Sequence, residues 1–159
     1  MDNEKVFDLD KRVVLKSIAG WSTGCDRITE NGSINIAPFG SVLERRAELI
    51  AQFQNNNKAI GGVDGNGSHA TWFIDDAETR KELGFDSEDG KTKQVVFSDE
   101  LVKKVFDYKT QSAFEQHFKD SFVTRAEKKA VMGAIKRLKI NDYAKIKFAE
   151  NYTGFKYEN

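Results

Sequence analysis

The sequence predicts an α+β fold. A β-rich part with one or two short helices occupies 1–97, and a part with three to four helices occupies 98–159, either as two units or as one continuous domain. Three observations predict this. β-Branched runs recur in the first hundred residues, as in RVVLKSIA at 12–19 and KQVVF at 93–97. Asn31-Gly32 stands between two β-type runs, the commonest short hairpin signal. After Ser98 the apolar residues shift to helical spacing, most clearly at Phe114, Phe118 and Phe122.

In chain order, the first strand covers 12–19 and ends at Gly20. WSTGCDRIT and SINIA then form a hairpin around Asn31-Gly32. Pro38, the only proline, and Gly40 interrupt the chain. LERRAELIAQFQ at 43–54 predicts a helix with Leu43, Ala47, Ile50 and Phe53 inward. KAIGGV and HATWFID predict a second hairpin across DGNGS, with Ala70, Trp72 and Ile74 on one face. Asp76 is placed to cap a short helix that stops at Gly84. KQVVF is expected to be the last strand.

The helical part carries its own punctuation. Ser98 is an N-cap followed by Asp99 and Glu100, which suit the positive end of a helix. Thr124-Arg125-Ala126-Glu127 fits a capping box, in which hydroxyl and carboxylate satisfy each other's free N–H groups. Asn141 is expected to cap a last helix with Tyr143, Ile146, Ala149 and Tyr152 inward, ended by Gly154.

The chain has 25 Lys/Arg and 25 Asp/Glu. That balance argues against a dedicated DNA-binding protein and against an acidic nucleic-acid mimic. It hides an asymmetry: residues 1–100 hold 12 basic and 18 acidic groups, a net of −6, and 101–159 hold 13 and 7, a net of +6. Three readings stay open: attraction between the two halves, head-to-tail packing of copies, and nucleic acid along the basic half. A single cysteine, Cys25, excludes an internal disulfide and is expected to be a small buried hydrophobe. The charged N-terminal segment MDNEKVFDLDK does not resemble a signal peptide, and no apolar run is long enough for a membrane span.

No constellation for catalysis stands out. Asp64-Gly65-Asn66-Gly67-Ser68 alternates oxygen side chains as calcium loops do, but His69 occupies the position that needs glycine, so an ordinary turn is expected. No Gly-Lys-Ser/Thr follows GGVDGNG, which argues against a nucleotide loop. His69 is expected to hydrogen-bond the neighbouring turn, and His117 to be solvated. Glu44, Glu48, Asp76, Glu78 and Glu82, with Arg45, Arg46, Arg80 and Lys81, are expected on solvated faces with local ion pairs. Arg125, Lys128, Lys129, Lys136, Arg137 and Lys139 crowd one helix. A helix-turn-helix is conceivable there, but the turn at Lys139-Ile140-Asn141-Asp142 lacks its usual glycine, and a protein-contact face is favoured.

The segments Asp64-Gly65-Asn66-Gly67-Ser68-His69-Ala70-Thr71, Ile74-Asp75-Asp76 and Thr79-Arg80-Lys81-Glu82-Leu83-Gly84-Phe85 resemble a stretch found in uncharacterised bacteriophage and prophage proteins. Thr124-Arg125-Ala126-Glu127-Lys128 and Asn141-Asp142-Tyr143 belong to the same pattern, which covers roughly residues 12–155. The resemblance implies phage origin and, without enzymatic motifs, a virion part.

The expectation is therefore a non-enzymatic phage structural or assembly protein: an accessory capsid, head-tail connector or tail component acting through protein–protein contacts. The alternative is a nucleic-acid-binding or regulatory module using the basic helices. No catalytic, cofactor-binding or metal-ligating residue is expected. Arg45, Arg46, Lys136 and Arg137 are the candidate interaction residues, as surface charges. The expected partners are copies of the chain and other virion proteins, with nucleic acid not favoured and no membrane. The expected location is the virion, and the host cytoplasm during assembly.

Overall fold

The computed structural model describes residues 6–157; the first five positions of the charged N-terminal segment lie outside them. The fold is α+β, as the sequence predicts. Strands β1 (Arg12–Ser17), β4 (Ser41–Arg45) and β5 (Trp72–Asp75) form an antiparallel sheet in the order β4-β1-β5. Strands β2 (Thr23–Asp26) and β3 (Ser33–Ile36) form a separate hairpin. Helices α1 (Arg46–Gln54), α2 (Lys58–Gly61) and α3 (Ala77–Glu82) complete the front part. Helices α4 (Asp99–Phe106), α5 (Gln111–Ser121), α6 (Arg125–Arg137) and α7 (Tyr143–Thr153) make up the back.

The period-2 pattern of β1 buries Val13, Leu15 and Ser17, and β5 buries Trp72 and Ile74 on the same core, with Ala70 just before it. Leu49, Ile60, Ile34 and Ile36 close this core from the helices and the hairpin. The second core is aromatic. Phe114, Phe118 and Phe122 are fully buried; Phe114 and Phe118 pack edge-on or tilted against Phe106 and Phe148, and Phe122 packs edge-on against Phe118 and Phe97. Each is placed where truncation to alanine costs about 3–5 kcal/mol. A small third cluster joins the two cores: Ile18 and Ala19 from the end of β1 meet Ala126 of α6, with Trp21, Val96 and Phe97 packed around them.

The helix starts follow their local chemistry. Ser98, Thr110 and Asp142 accept from the backbone N–H three residues on, and Thr124 with Glu127 completes the capping box. Asp76 caps α3, and Gly84 and Gly154 take the positive φ that follows a helix end. The cap of α7 is Asp142, one residue after the expected Asn141.

Four expectations are corrected. Residues 58–61 are helix, not strand, because the Asn57 side chain accepts from Ala59 N and starts a turn. β5 therefore pairs with β1 rather than with a hairpin arm. Gly62 lets the chain cross itself here: its φ is 74°, and a Cβ would collide with the Ser68 carbonyl. Leu43 lies in β4 and is exposed, and α1 turns Arg46, Glu48, Leu49 and Gln52 inward instead of the apolar stripe. Residues 93–97 form no strand, and Tyr143 at the start of α7 is 81% exposed rather than inward.

Candidate functional site

A few carboxylates of the front part are internal: Glu44, Glu48 and Asp86 are buried and Asp76 is half-buried. Glu48 is fully buried and holds the tip of the β2–β3 hairpin. It accepts from the backbone N–H groups of Ile28 and Thr29, from the Thr29 hydroxyl and from Gln52 Nε2. Burial pushes its pKa up, but the two backbone donors and the side-chain donors outweigh that, and the net position is below the ordinary value. The hairpin loop thus runs over six residues, 27–32, anchored by a carboxylate 20 positions away, rather than turning tightly at Asn31-Gly32.

Arg46 is 2% exposed. Its Nε and Nη2 both donate to Asp76 Oδ2, at 3.1 and 2.9 Å, and Nη2 also reaches Glu78. Burial raises the Asp76 pKa, but the hydrogen bonds from Thr79 and Arg46 together outweigh it and leave it below the ordinary value. Arg27 pairs with buried Glu44, and Arg80 with buried Asp86. Glu44, Glu48 and Arg46 are not solvated faces. Local periodicity missed this because, Gln52 apart, the partners of these three lie 17 or more residues away.

Of the four predicted interaction residues, Arg46 is corrected to a buried structural cation. Arg45 is largely covered and holds Asp10 and the Thr29 hydroxyl. Arg137 is exposed and paired with Asp99. Lys136 is exposed, with no ion-pair partner among the described residues. The structure does not bring these four together.

The two parts meet at a polar junction. His69, at a left-handed φ of 59°, points Nδ1 at the Glu127 carboxylate, 3.0 Å from both oxygens. Histidine is one of the few non-glycine residues enriched in that backbone region. Glu127 is 3% exposed and also receives the N–H groups of Val123 and Thr124. The expected bond from His69 to its own turn is replaced by this bond across 58 residues; Asp64 Oδ1 serves the turn, accepting from Asn66 and Ser68. His117 is exposed, as expected, and stacks on Tyr108.

Two clefts flank His69. One, of about 380 Å³, lies between the 66–69 turn, segment 93–97 and the start of α6. The other, of about 610 Å³, is bordered by Trp21, Cys25, Asn57, Trp72 and Thr124. Cys25 is half-buried, and burial pushes its thiol up. Asn57 Nδ2 counters with a hydrogen bond, while nearby Glu48, Asp26 and Glu44 add to the rise. A thiol held that way is protonated at neutral pH and is not an activated nucleophile. Among the described residues no hydroxyl or thiol bonds His69 Nε2, and no group of three His, Cys, Asp or Glu could hold a metal ion.

Segment 93–97 is the unusual wall of the smaller cleft. Gln94 N donates to Asp86 Oδ1 and its Nε2 to Gly67 O. The backbone N–H groups of Lys93, Val95, Val96 and Phe97 have no partner among the described residues, and no carbonyl of the five accepts a hydrogen bond. Val95 is 71% exposed, while Val96 and Phe97 are rooted in the bridging cluster. The sheet edge at β5, by contrast, is guarded: Arg80 Nη1 donates to Ile74 O at 2.7 Å. Among the described residues, no helix is long and apolar enough to cross a membrane.

Comparison of the chain with protein-family models, with curated proteins and with solved structures gives no match.

Proposed function

We propose that the protein is a non-enzymatic phage structural or assembly component, of the accessory-capsid, connector or tail kind, working through contacts with copies of itself and with other virion proteins. The phage setting rests on the resemblance of the 64–85 and 124–128 segments. The mode of action rests on segment 93–97. It has the β-branched composition of a strand, an outward valine, an anchored inner face and, apart from the Gln94 N–H, a backbone without partners among the described residues. An open strand is a template for a strand from another chain, which proteins otherwise blunt with charge, bulges or a covering element.

The internal ion pairs support the same reading. Glu44, Glu48, Arg46, Asp76, Asp86 and Glu127 all have structural partners, so the buried charges are spent on holding the fold. What the molecule offers outward is contact surface. Gel filtration with cross-linking, and mass spectrometry of purified particles, test the proposal. Association and presence in particles support it; a strictly monomeric protein absent from particles removes it.

A further inference from the structure

The outer face of α6 carries a second kind of contact. Its sequence is RAEKKAVMGAIKR, and its only acidic residue, Glu127, is buried under His69 and the capping box. The exposed positions are Arg125, Lys129, Gly133, Lys136 and Arg137, so the solvent face holds cations with no carboxylate of the helix between them. From Arg125 to Lys136 it extends about 16 Å.

Aromatic rings border this face on both sides. Lys129 Nζ lies 5.7 Å from the centre of the Trp21 ring. The Lys129 stem and the tip of the Phe39 ring close on the same point at Gly20. Phe39 is 62% exposed and sits at a φ of 55°, a costly conformation for a bulky residue. Its N–H donates to Ala19 O, which fixes the ring beside the helix. On the opposite flank Arg125 lies over Phe155, and Lys128 joins them around a cleft of about 390 Å³.

We infer that this face binds single-stranded nucleic acid. Phosphates would run along Arg125, Lys129 and Lys136, and bases would stack on Phe39 and the rim of Trp21. Cations supply the affinity and salt dependence, and flat exposed rings match bases of any sequence. An acidic protein surface would use the cations but not the exposed Phe39 ring. A duplex is disfavoured because its bases are already stacked and paired, which leaves the exposed Phe39 ring no free base face to meet. The inference does not rest on the assembly role, since a chain that never self-associates could still bind this way.

Fluorescence anisotropy of the full chain with labelled single-stranded DNA, single-stranded RNA and duplex DNA tests it. The expected result is tighter binding of single strands than of duplex, with an affinity that falls as salt rises, at a log–log slope of about −2 for three phosphate contacts. Lys129→Glu with Lys136→Glu should weaken binding by more than about tenfold at low salt. Phe39→Gly, which relieves the backbone while removing the ring, should weaken it about fivefold or more with little change in the salt slope. Circular dichroism melts confirm that the variants fold, and Lys129→Gln with Lys136→Gln provides a milder pair. No binding at low salt, equal binding by the charge-reversed variant, preference for duplex, or equal capture by polyglutamate would each overturn the inference; the last outcome would mark an acidic-protein face instead.

Discussion

His69 Nδ1 lies 3.0 Å from both carboxylate oxygens of Glu127, and this contact ties the front part of the chain to the first turn of α6. One carboxylate thus serves two purposes. It completes the capping box of the helix and receives the imidazole from a turn 58 residues earlier. Placing both demands on one buried group makes the helix start and the docking of the two parts cooperative.

The cooperativity is measurable. Glu127→Ala should cost about 2 kcal/mol or more, the loss of a cap plus the loss of the His69 contact. His69→Gly keeps the left-handed backbone and removes only the ring, so it isolates the contact. Urea unfolding of both single variants and the double variant should give a coupling energy of about 0.5–3 kcal/mol. Simple additivity would mean that the contact contributes nothing.

Arg46 and Arg45 are neighbours in sequence with different surroundings. Arg46→Ala leaves Asp76 without its buried cation and should destabilise by about 3–5 kcal/mol. Arg45, whose partner Asp10 is 85% exposed, should cost about 1 kcal/mol or less when truncated. Equal effects in denaturant titrations would contradict the assignment of Arg46 as a structural cation.

The front part should be acid-sensitive. Glu48 and Asp76 are both held below the ordinary carboxylate range in the folded chain, so the unfolded chain binds these protons more tightly. Their contribution is complete above the unfolded values of about 4 and is lost as pH falls through the lower folded values. Melting temperature should therefore drop on acidification below about pH 4. Glu48→Gln should destabilise at neutral pH and show a shallower acid limb. An acid limb identical to that of the parent would exclude Glu48 as a contributor.

Much of the fold is legible because it is written locally. Ser98, Thr124 with Glu127, and Asp76 act on N–H groups three residues away, and Phe114, Phe118 and Phe122 mark one helix face. The hairpin at 23–36 is likewise visible from its two β-type runs. What local pattern does not carry is the partner across the fold. KAIG has enough apolar character for a strand, and only the Asn57 cap and the pairing of β5 with β1 decide otherwise. Apart from Leu49 the buried residues of α1 are polar, so hydrophobic periodicity selects the wrong side; the hydrogen bonds that hold Glu48 and Arg46 inside come from residues 28–29 and 76. KQVVF has the composition of a strand but finds no strand beside it among the described residues.

Sedimentation velocity over a range of concentrations, comparing the parent chain with Val95→Pro, tests the assembly account most directly. Proline removes one unpaired N–H at an exposed position and leaves the anchored neighbours in place. The account predicts that the parent shifts from its 18.0 kDa monomer to larger species as concentration rises, while the variant stays monomeric with an unchanged melting temperature. A parent that sediments as a monomer throughout, or a variant that associates as the parent does, would contradict it.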